Sequence, residues 1–301
     1  MMKAQDTSGY LTKEEVESIE LETMREPDRD LTFNQVFEIM PLDSPFAKTS
    51  VYYVADDDEG SAKLLNSLSQ AEKIMVTGQR VTASIYDTAI AFELEMDDIE
   101  TSRSWGKPLN TEFVQRSVRK VNEKLNSLAY LGDTDFGVQS LLDASGLTDI
   151  TGTDIDTMTD VASEFIGYFN DLPVKFRTRY QYKLVLADQE WKKLQKRGNT
   201  YNDKSVAQLI QEAIPNLEIV PPEVSLDSGT EYASGGTVSS GTGFFIPKSK
   251  EAVRMPLAMS PVAYTDSDNS IRKVKGTVRA RAGPLEIVFP TAIGKISGLN
   301  G

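Results

Sequence analysis

The sequence predicts an α+β fold, and three observations predict it. Residues 110–131 carry one apolar stripe at helical spacing, made of Val114, Val118, Val121, Leu125 and Leu128. Two other stretches alternate with period two: Ile90, Phe92, Leu94 and Met96 in the first third, and Val274, Gly276, Val278 and Ala280 near the end. From 154 to 220, short helical and short buried-strand patterns follow one another.

Taken in order, residues 1–42 are polar and acidic, with room for a short amphipathic helix from Lys13 to Met24 through Val16, Ile19 and Met24. Alone, this segment cannot bury a core, so in an isolated monomer it reads as a disordered tail. KTSVYYVA at 48–55 is a strand rich in Val and Tyr, and a long extended run from Lys73 to Met96 returns after a charged stretch. Two strands around a charged tip predict a long hairpin that needs something to lie on. The 110–131 helix takes its cap from Asn110 or Thr111 after Pro108 and its stop from Gly132. At about 1.5 Å per residue it is roughly 30 Å long.

A second helix is expected from about Asp154 to Phe169, with Ile155, Met158, Val161, Ala162, Phe165 and Ile166 as its apolar positions. YKLVLA at 182–187 is a buried strand, and Asp188 caps a short helix with Trp191 and Leu194. Asp203 or Ser205 caps another, through Val206, Leu209, Ile210 and Ala213, and Pro215 stops it. LEIV and FFIP are strands on either side of a Gly/Ser-rich loop at 227–243. Ala282-Gly283-Pro284 marks a turn, after which Leu285, Ile287 and Phe289 form a return strand.

Composition narrows the function. The chain has 301 residues, a formal net charge of −13, no cysteine and no histidine. Disulfides, thiolate nucleophiles, Cys/His zinc sites, Ser-His-Asp triads and H-E-x-x-H are therefore excluded. An enzyme of this composition would need perturbed carboxylates, lysines or a hard metal, without the side chain best suited to proton transfer near neutrality. The acidic balance also argues against a protein dedicated to coating DNA. No apolar stretch approaches the roughly 20 residues of a membrane helix, and no targeting segment is read at the start, so cytoplasmic synthesis is expected.

Several local patterns read as structural. Asp135-Phe136-Gly137 spells a kinase motif, but its histidine-containing partner motif has no counterpart here. Asp56, Asp57, Asp58 and Glu59 are hard oxygen donors without the spacing of a calcium loop, so a solvated turn is expected. Asp154, Asp156 and Asp160 read as acids at a helix start, and Trp105 and Trp191 as packing anchors. No catalytic residue, metal ligand or cofactor is expected. On the 110–131 helix, Arg116, Arg119, Lys120 and Lys124 outnumber Glu112 and Glu123 off the apolar stripe, leaving either a solvated face or a mildly basic one.

The order of elements (polar arm, long extended loop, long helix, α/β region, closing strands) resembles the Hong Kong 97 capsid fold, shared by tailed-phage major capsid proteins, related archaeal viruses and encapsulin shells. VYYVADDDEGSAKLL at 51–65 is similar to the family's entry into its extended loop, especially in a phage subgroup built on a domain of unknown function. VRKVNEKLNSLAYLGDTDFGVQSLLDASG at 118–146 resembles its spine helix and the glycine-containing segment that follows. The chain departs there, because Gln139-Ser140 replace the glycine often found before the Leu-Leu pair. VRARAGPLEIVFPTAI at 278–293 resembles the closing hairpin, with Pro290-Thr291-Ala292-Ile293 as its P-x-A-I ending.

The resemblance implies a Hong Kong 97-like organisation. Residues 1–42 would be the N-terminal arm and 43–88 the extended loop. A peripheral domain would span 89–150, with the spine helix at 110–131, and be completed by strands in 262–290. An axial domain would span 151–261, completed by a final strand in 291–301. It implies a subunit that assembles with copies of itself into hexamers and pentamers of an icosahedral shell around double-stranded DNA, in a virion assembled in the host cytoplasm. Scaffold, portal and cement proteins are implied partners. Arg116, Arg119, Lys120 and Lys124 are then the candidate lumen-facing contacts to nucleic acid. Some relatives lock their shells with a lysine–asparagine isopeptide bond, for which Lys63 and Lys73 are the loop lysines. The alternatives are an encapsulin-type shell housing a cargo enzyme and, further off, a carboxylate- or metal-dependent enzyme.

Overall fold

The computed structural model describes residues 31–55, 78–104, 109–139, 141–142, 144–199, 202–221, 241–268 and 272–299. The expected helix at 13–24, the charged stretch after 55 and most of the Gly/Ser-rich loop lie outside the described residues. The elements run α1 (Phe33–Val36), β1 (Glu38–Pro41), β2 (Thr49–Ala55), β3 (Gly78–Ser84), β4 (Tyr86–Glu95), α2 (Met96–Ser104) and α3 (Leu109–Leu131). After these come β5 (Thr148–Thr151), α4 (Val161–Asn170), α5 (Val174–Arg177), β6 (Tyr182–Leu186), α6 (Asp188–Leu194), β7 (Arg197–Asn199), β8 (Asn202–Ser205), α7 (Val206–Ala213) and β9 (Leu217–Ile219). The chain closes with β10 (Gly243–Pro247), β11 (Val253–Asp268), β12 (Lys273–Ala282), β13 (Glu286–Ile287) and β14 (Gly294–Ser297). The fold class is α+β, as expected.

Two five-stranded sheets organise these elements. The first has the order β1-β11-β12-β4, with β13 also paired to β11. β1 runs parallel to β11, so Glu38–Pro41, within the expected arm, belongs to this sheet. Along β11, Arg254–Leu257 pairs with β1, and Leu257, Met259 and Val262–Asp268 pair antiparallel with β12. The register shifts between Met259 and Val262, where Pro261 has no N–H to give to the ladder. This strand crosses residue 261, where the expected axial region ends.

α3 packs on β4, β12 and β11. Val121 and Leu125 are each 1% exposed and Leu128 is buried, so the stripe faces the sheet as the spacing predicts. Gly132 ends the helix at φ 67°, the left-handed conformation that glycine adopts without penalty. Residues 31–37 are tied to this helix: the Phe33 N–H donates to Asn126 Oδ1 at 3.0 Å, and Thr32 Oγ1 lies 2.8 Å from Tyr130 Oη.

The second sheet has the order β5-β14-β10-β6-β9. Every residue of β6 and β10 is buried, which explains their largely apolar sequences, and Lys183, the charged exception in β6, is paired with Glu218. Phe169 packs edge-on against both Tyr182 and Phe245, at 5.3 and 5.5 Å between ring centroids. α7 begins with a full capping box between Ser205 and Gln208, so Ser205 rather than Asp203 is its cap.

Other expectations are corrected. Met96 does not extend the β4 alternation but starts α2, whose first turn holds Asp97 and Asp98. α3 begins at Leu109, so Asn110 and Thr111 lie inside it and do not cap it. α4 begins at Val161 with Asp160 as its cap, because Asp154–Thr157 forms a turn that the Asp154 side chain and carbonyl hold closed. Asp188 is the first residue of α6, whose cap position is Ala187. The return strand after Gly283 does not pair with β12: β13 pairs with β11 at Val253 and Arg254, so the closing segment is no simple hairpin.

Candidate functional site: the exposed face of the long helix and the base of the hairpin

Opposite its buried stripe, α3 carries the four predicted cations. Arg116, Lys120 and Lys124 fall four residues apart and form one line along the helix. Each of the four has a carboxylate partner within the chain. Arg116 Nη2 reaches Glu112 Oε1 at 2.9 Å, Arg119 Nε reaches Glu123 Oε1 at 3.3 Å, and Lys120 Nζ reaches Glu123 Oε2 at 2.8 Å. Lys124 Nζ donates to Asp133 Oδ2 at 2.9 Å. Sequence reasoning missed Asp133. It lies beyond the helix, and the turn at Gly132 brings it back beside the last cation. The face therefore holds four cations against three carboxylates, so it is close to neutral.

Asp133 is also the foot of a tight turn. It pairs with Val138 in both directions, and its carboxylate accepts the Asp135 N–H at 3.1 Å. The Lys124 hydrogen bond, assisted by the Lys124 charge and the turn's own N–H groups, holds this carboxyl below its usual 3.8 despite partial burial. Asp135, Phe136 and Gly137 form the tip, with Gly137 at φ 64° and Phe136 65% exposed. The kinase-like spelling is thus a turn, and Phe136 rests edge-on against Tyr86 at 5.6 Å.

The hairpin forms the second surface. β2 and β3 pair over seven positions and, among the described residues, with no other strand. Alternation along β2 leaves Val51 and Tyr53 exposed while Ser50 is buried. Tyr52 turns toward the body, where the Arg254 guanidinium sits 5.9 Å from its ring centroid. Burial, then the Glu286 charge, raises the Tyr52 hydroxyl above its usual 10. Glu286 is fully buried. One of its oxygens accepts from Arg254 Nε at 2.7 Å, and the other has no hydrogen-bond partner among the described residues. Nearby, Arg279 grips Asp87 with two bonds, at 3.0 and 2.9 Å.

No group of three or more metal-ligating side chains occurs among the described residues, and no helix there is long and apolar enough to cross a membrane. Asp56–Glu59, Lys63, Lys73 and Trp105 lie outside the described residues. Trp191 is half-buried against the core, as a packing anchor would be.

The sequence profile of the major capsid protein family matches residues 60–299. No curated protein sequence matches the chain. Among solved structures, the capsid of Myoviridae phage XM1 superposes with a TM-score of 0.72 at 15% identity, covering 95% of this chain and 97% of that one. The capsid of a native GTA particle gives 0.72 at 14% identity, covering 97% of both chains. A virus-like particle from Pyrococcus furiosus gives 0.60 at 9% identity, covering 88% of this chain and 91% of that one.

Proposed function

This chain belongs to the major capsid protein family, and from that premise we propose that it closes an icosahedral shell, from hexamers and pentamers of itself, around double-stranded DNA. The observation that carries the reading is the β2–β3 hairpin. It pairs only with itself among the described residues and leaves Val51 and Tyr53 in water. A two-stranded ribbon is marginal alone, so a neighbouring copy that covers it stabilises both partners. Contacts that pass head to tail and close into a ring give such assemblies.

In this reading the first sheet and α3 form a peripheral domain, the second sheet forms an axial domain, and the virion is the protein's location. Scaffold, portal and cement proteins are further partners it expects. The exposed face of α3 is the proposed lumen-facing contact, through Arg116, Arg119, Lys120 and Lys124. Because all four already have carboxylate partners, contact with phosphate is weak, sequence-independent and salt-sensitive.

Negative-stain microscopy and sedimentation of the purified protein test the shell. Closed angular particles are expected, and a chain that stays dispersed at every protein and salt concentration overturns the reading. The fold likeness to a virus-like particle gives the alternative of a compartment for a cargo enzyme. Nuclease-protected DNA in particles from infected cells favours the virion, and a protein cargo without DNA favours the compartment.

A further inference from the structure

β4 ends the first sheet on one side with a bare edge. It pairs with β12 along its whole length, Tyr86–Glu95, and stands last in the strand order. In an antiparallel ladder the N–H and C=O groups of alternate residues point to one side of the strand and those of the rest to the other. Half of the β4 groups therefore face away from β12, and among the described residues no backbone group outside the β12 ladder bonds to residues 86–95. The side chains tell the same story. Val278 on β12 is fully buried, whereas Ile90, its partner across the ladder on the same face, is 37% exposed. The difference marks the missing neighbour on the outer side of β4.

An open edge of this length is a template for another strand unless something blunts it. The charged residues of β4 are Asp87, Glu93 and Glu95, all acidic. Two copies of β4 laid edge to edge would gather carboxylates from both strands with no cation between them. Arg279 and Lys273 offset part of this repulsion from the β12 side, and the edge still favours a strand without acids. The hairpin supplies such a strand. β2 carries no charge and β3 carries Arg80 alone, which is exposed. β3 also has a free edge, because its strand partner among the described residues is β2. The hairpin cannot cover β4 of its own chain. Only Ile85 separates β3 from β4, and a strand needs a turn of about two residues to double back on its neighbour. β2 in turn is locked to β3 along its whole length. The edge of β4 is therefore left to a second copy.

We propose that the free edge of β4 receives β3 of a neighbouring copy of this chain, which adds the β2–β3 ribbon to the first sheet as two further strands. The inference rests on the self-assembly reading above and names the backbone contact that carries it. β3 is shorter than β4 and fits within it. Main-chain hydrogen bonds give the joint its strength, as in other cases of strand addition, and Arg80 beside the β4 acids adds attraction. Because β3 and β4 are different surfaces of the subunit, the joint runs head to tail, as ring closure requires.

Hydrogen exchange on the full chain tests this. In dissociated subunits the outward N–H groups of β4 and β3 should exchange freely. In shells, alternate residues of 86–95 and of 78–84 should exchange slower by at least about tenfold. Outward groups already protected in the subunit would mean that the edge is covered within the chain, and equal exchange in subunits and shells would mean that nothing pairs there; either result overturns the proposal. Because the chain has no cysteine, cross-linking identifies the partner. Ala91 on β4 and Thr82 on β3 are both exposed. Shells assembled from a mixture of Ala91→Cys and Thr82→Cys subunits should give, with a bismaleimide, a covalent dimer of one subunit of each kind. Dimers formed by Ala91→Cys subunits alone would make β4 its own partner and overturn the choice of β3. Shells with neither dimer nor protection sink the contact and leave the assembly reading standing, whereas a wild-type chain that never forms shells sinks both.

Discussion

Gly276 on β12 faces Phe92 on β4 across the ladder, and a methyl group at Gly276 would lie 2.1 Å from Phe92 Cζ and 2.6 Å from both Cε atoms. The ring lies flat over the glycine, filling the space that a side chain would take. Gly276→Ala must therefore displace the Phe92 ring and disturb its contact with Phe113, whose ring centroid is 6.5 Å distant. Overpacking of this kind costs about 1–3 kcal/mol, partly offset by the roughly 0.5–1 kcal/mol that alanine gains over glycine within a strand. In a Phe92→Ala background the clash is gone, so the same change should be neutral or stabilise by about 0.5 kcal/mol. Urea unfolding of the dissociated subunit in all four variants closes the cycle, with an expected coupling of about 1–3 kcal/mol. An equal effect of Gly276→Ala in both backgrounds would refute the reasoning.

Leu125→Ala, at a side chain 1% exposed beneath the first sheet, should destabilise the subunit by about 2–5 kcal/mol in the same assay; a loss below about 1 kcal/mol would mean that the site is not filled as described. Ser205→Ala removes the acceptor of the Gln208 N–H at the start of α7 and should cost about 1 kcal/mol, with faster amide exchange confined to that helix. Asp133 is held below its usual 3.8 by Lys124, so its stabilisation is present above the unfolded pKa and lost as pH falls through the folded one. Lys124→Met should weaken that acid limb, which an unchanged profile of stability from pH 6 to pH 2 would contradict. At the α3 face, replacing Arg116 and Lys120 by glutamine should reduce DNA retained by particles at low salt and leave shell formation intact; loss of shells instead would make those side chains assembly contacts.

The parts of the fold legible in the sequence are those where one physical demand dominates. The α3 stripe, the fully buried β6 and β10, and the cap at Ser205 each follow from a local pattern. What is illegible depends on partners far along the chain. β11 carries Pro256 and Pro261 and no steady alternation, so its first half gives no strand signal. It is a strand because β1 pairs with its first half and β12 pairs with it on both sides of a bulge. α2 has too few apolar positions to announce a helix after the β4 alternation. The four cations of α3 are visible as residues, but the pairing of Lys124 with Asp133 needs the turn at Gly132.

The isolation of the β2–β3 ribbon has a mechanical consequence. Seven residues of strand reach about 23 Å at roughly 3.3 Å each, and no ladder to another described strand fixes their direction. Steering falls to side chains, chiefly Tyr52, midway along β2, against Arg254 and Glu286. A tilt of about 10° there would carry the end of β2, about 10 Å further on, by about 2 Å, at the spacing of an extended chain. The ribbon is a lever with a soft pivot, and such a lever absorbs differences in angle between neighbours while the two packed sheets stay rigid. One sequence can then occupy ring positions of unlike curvature without refolding its core.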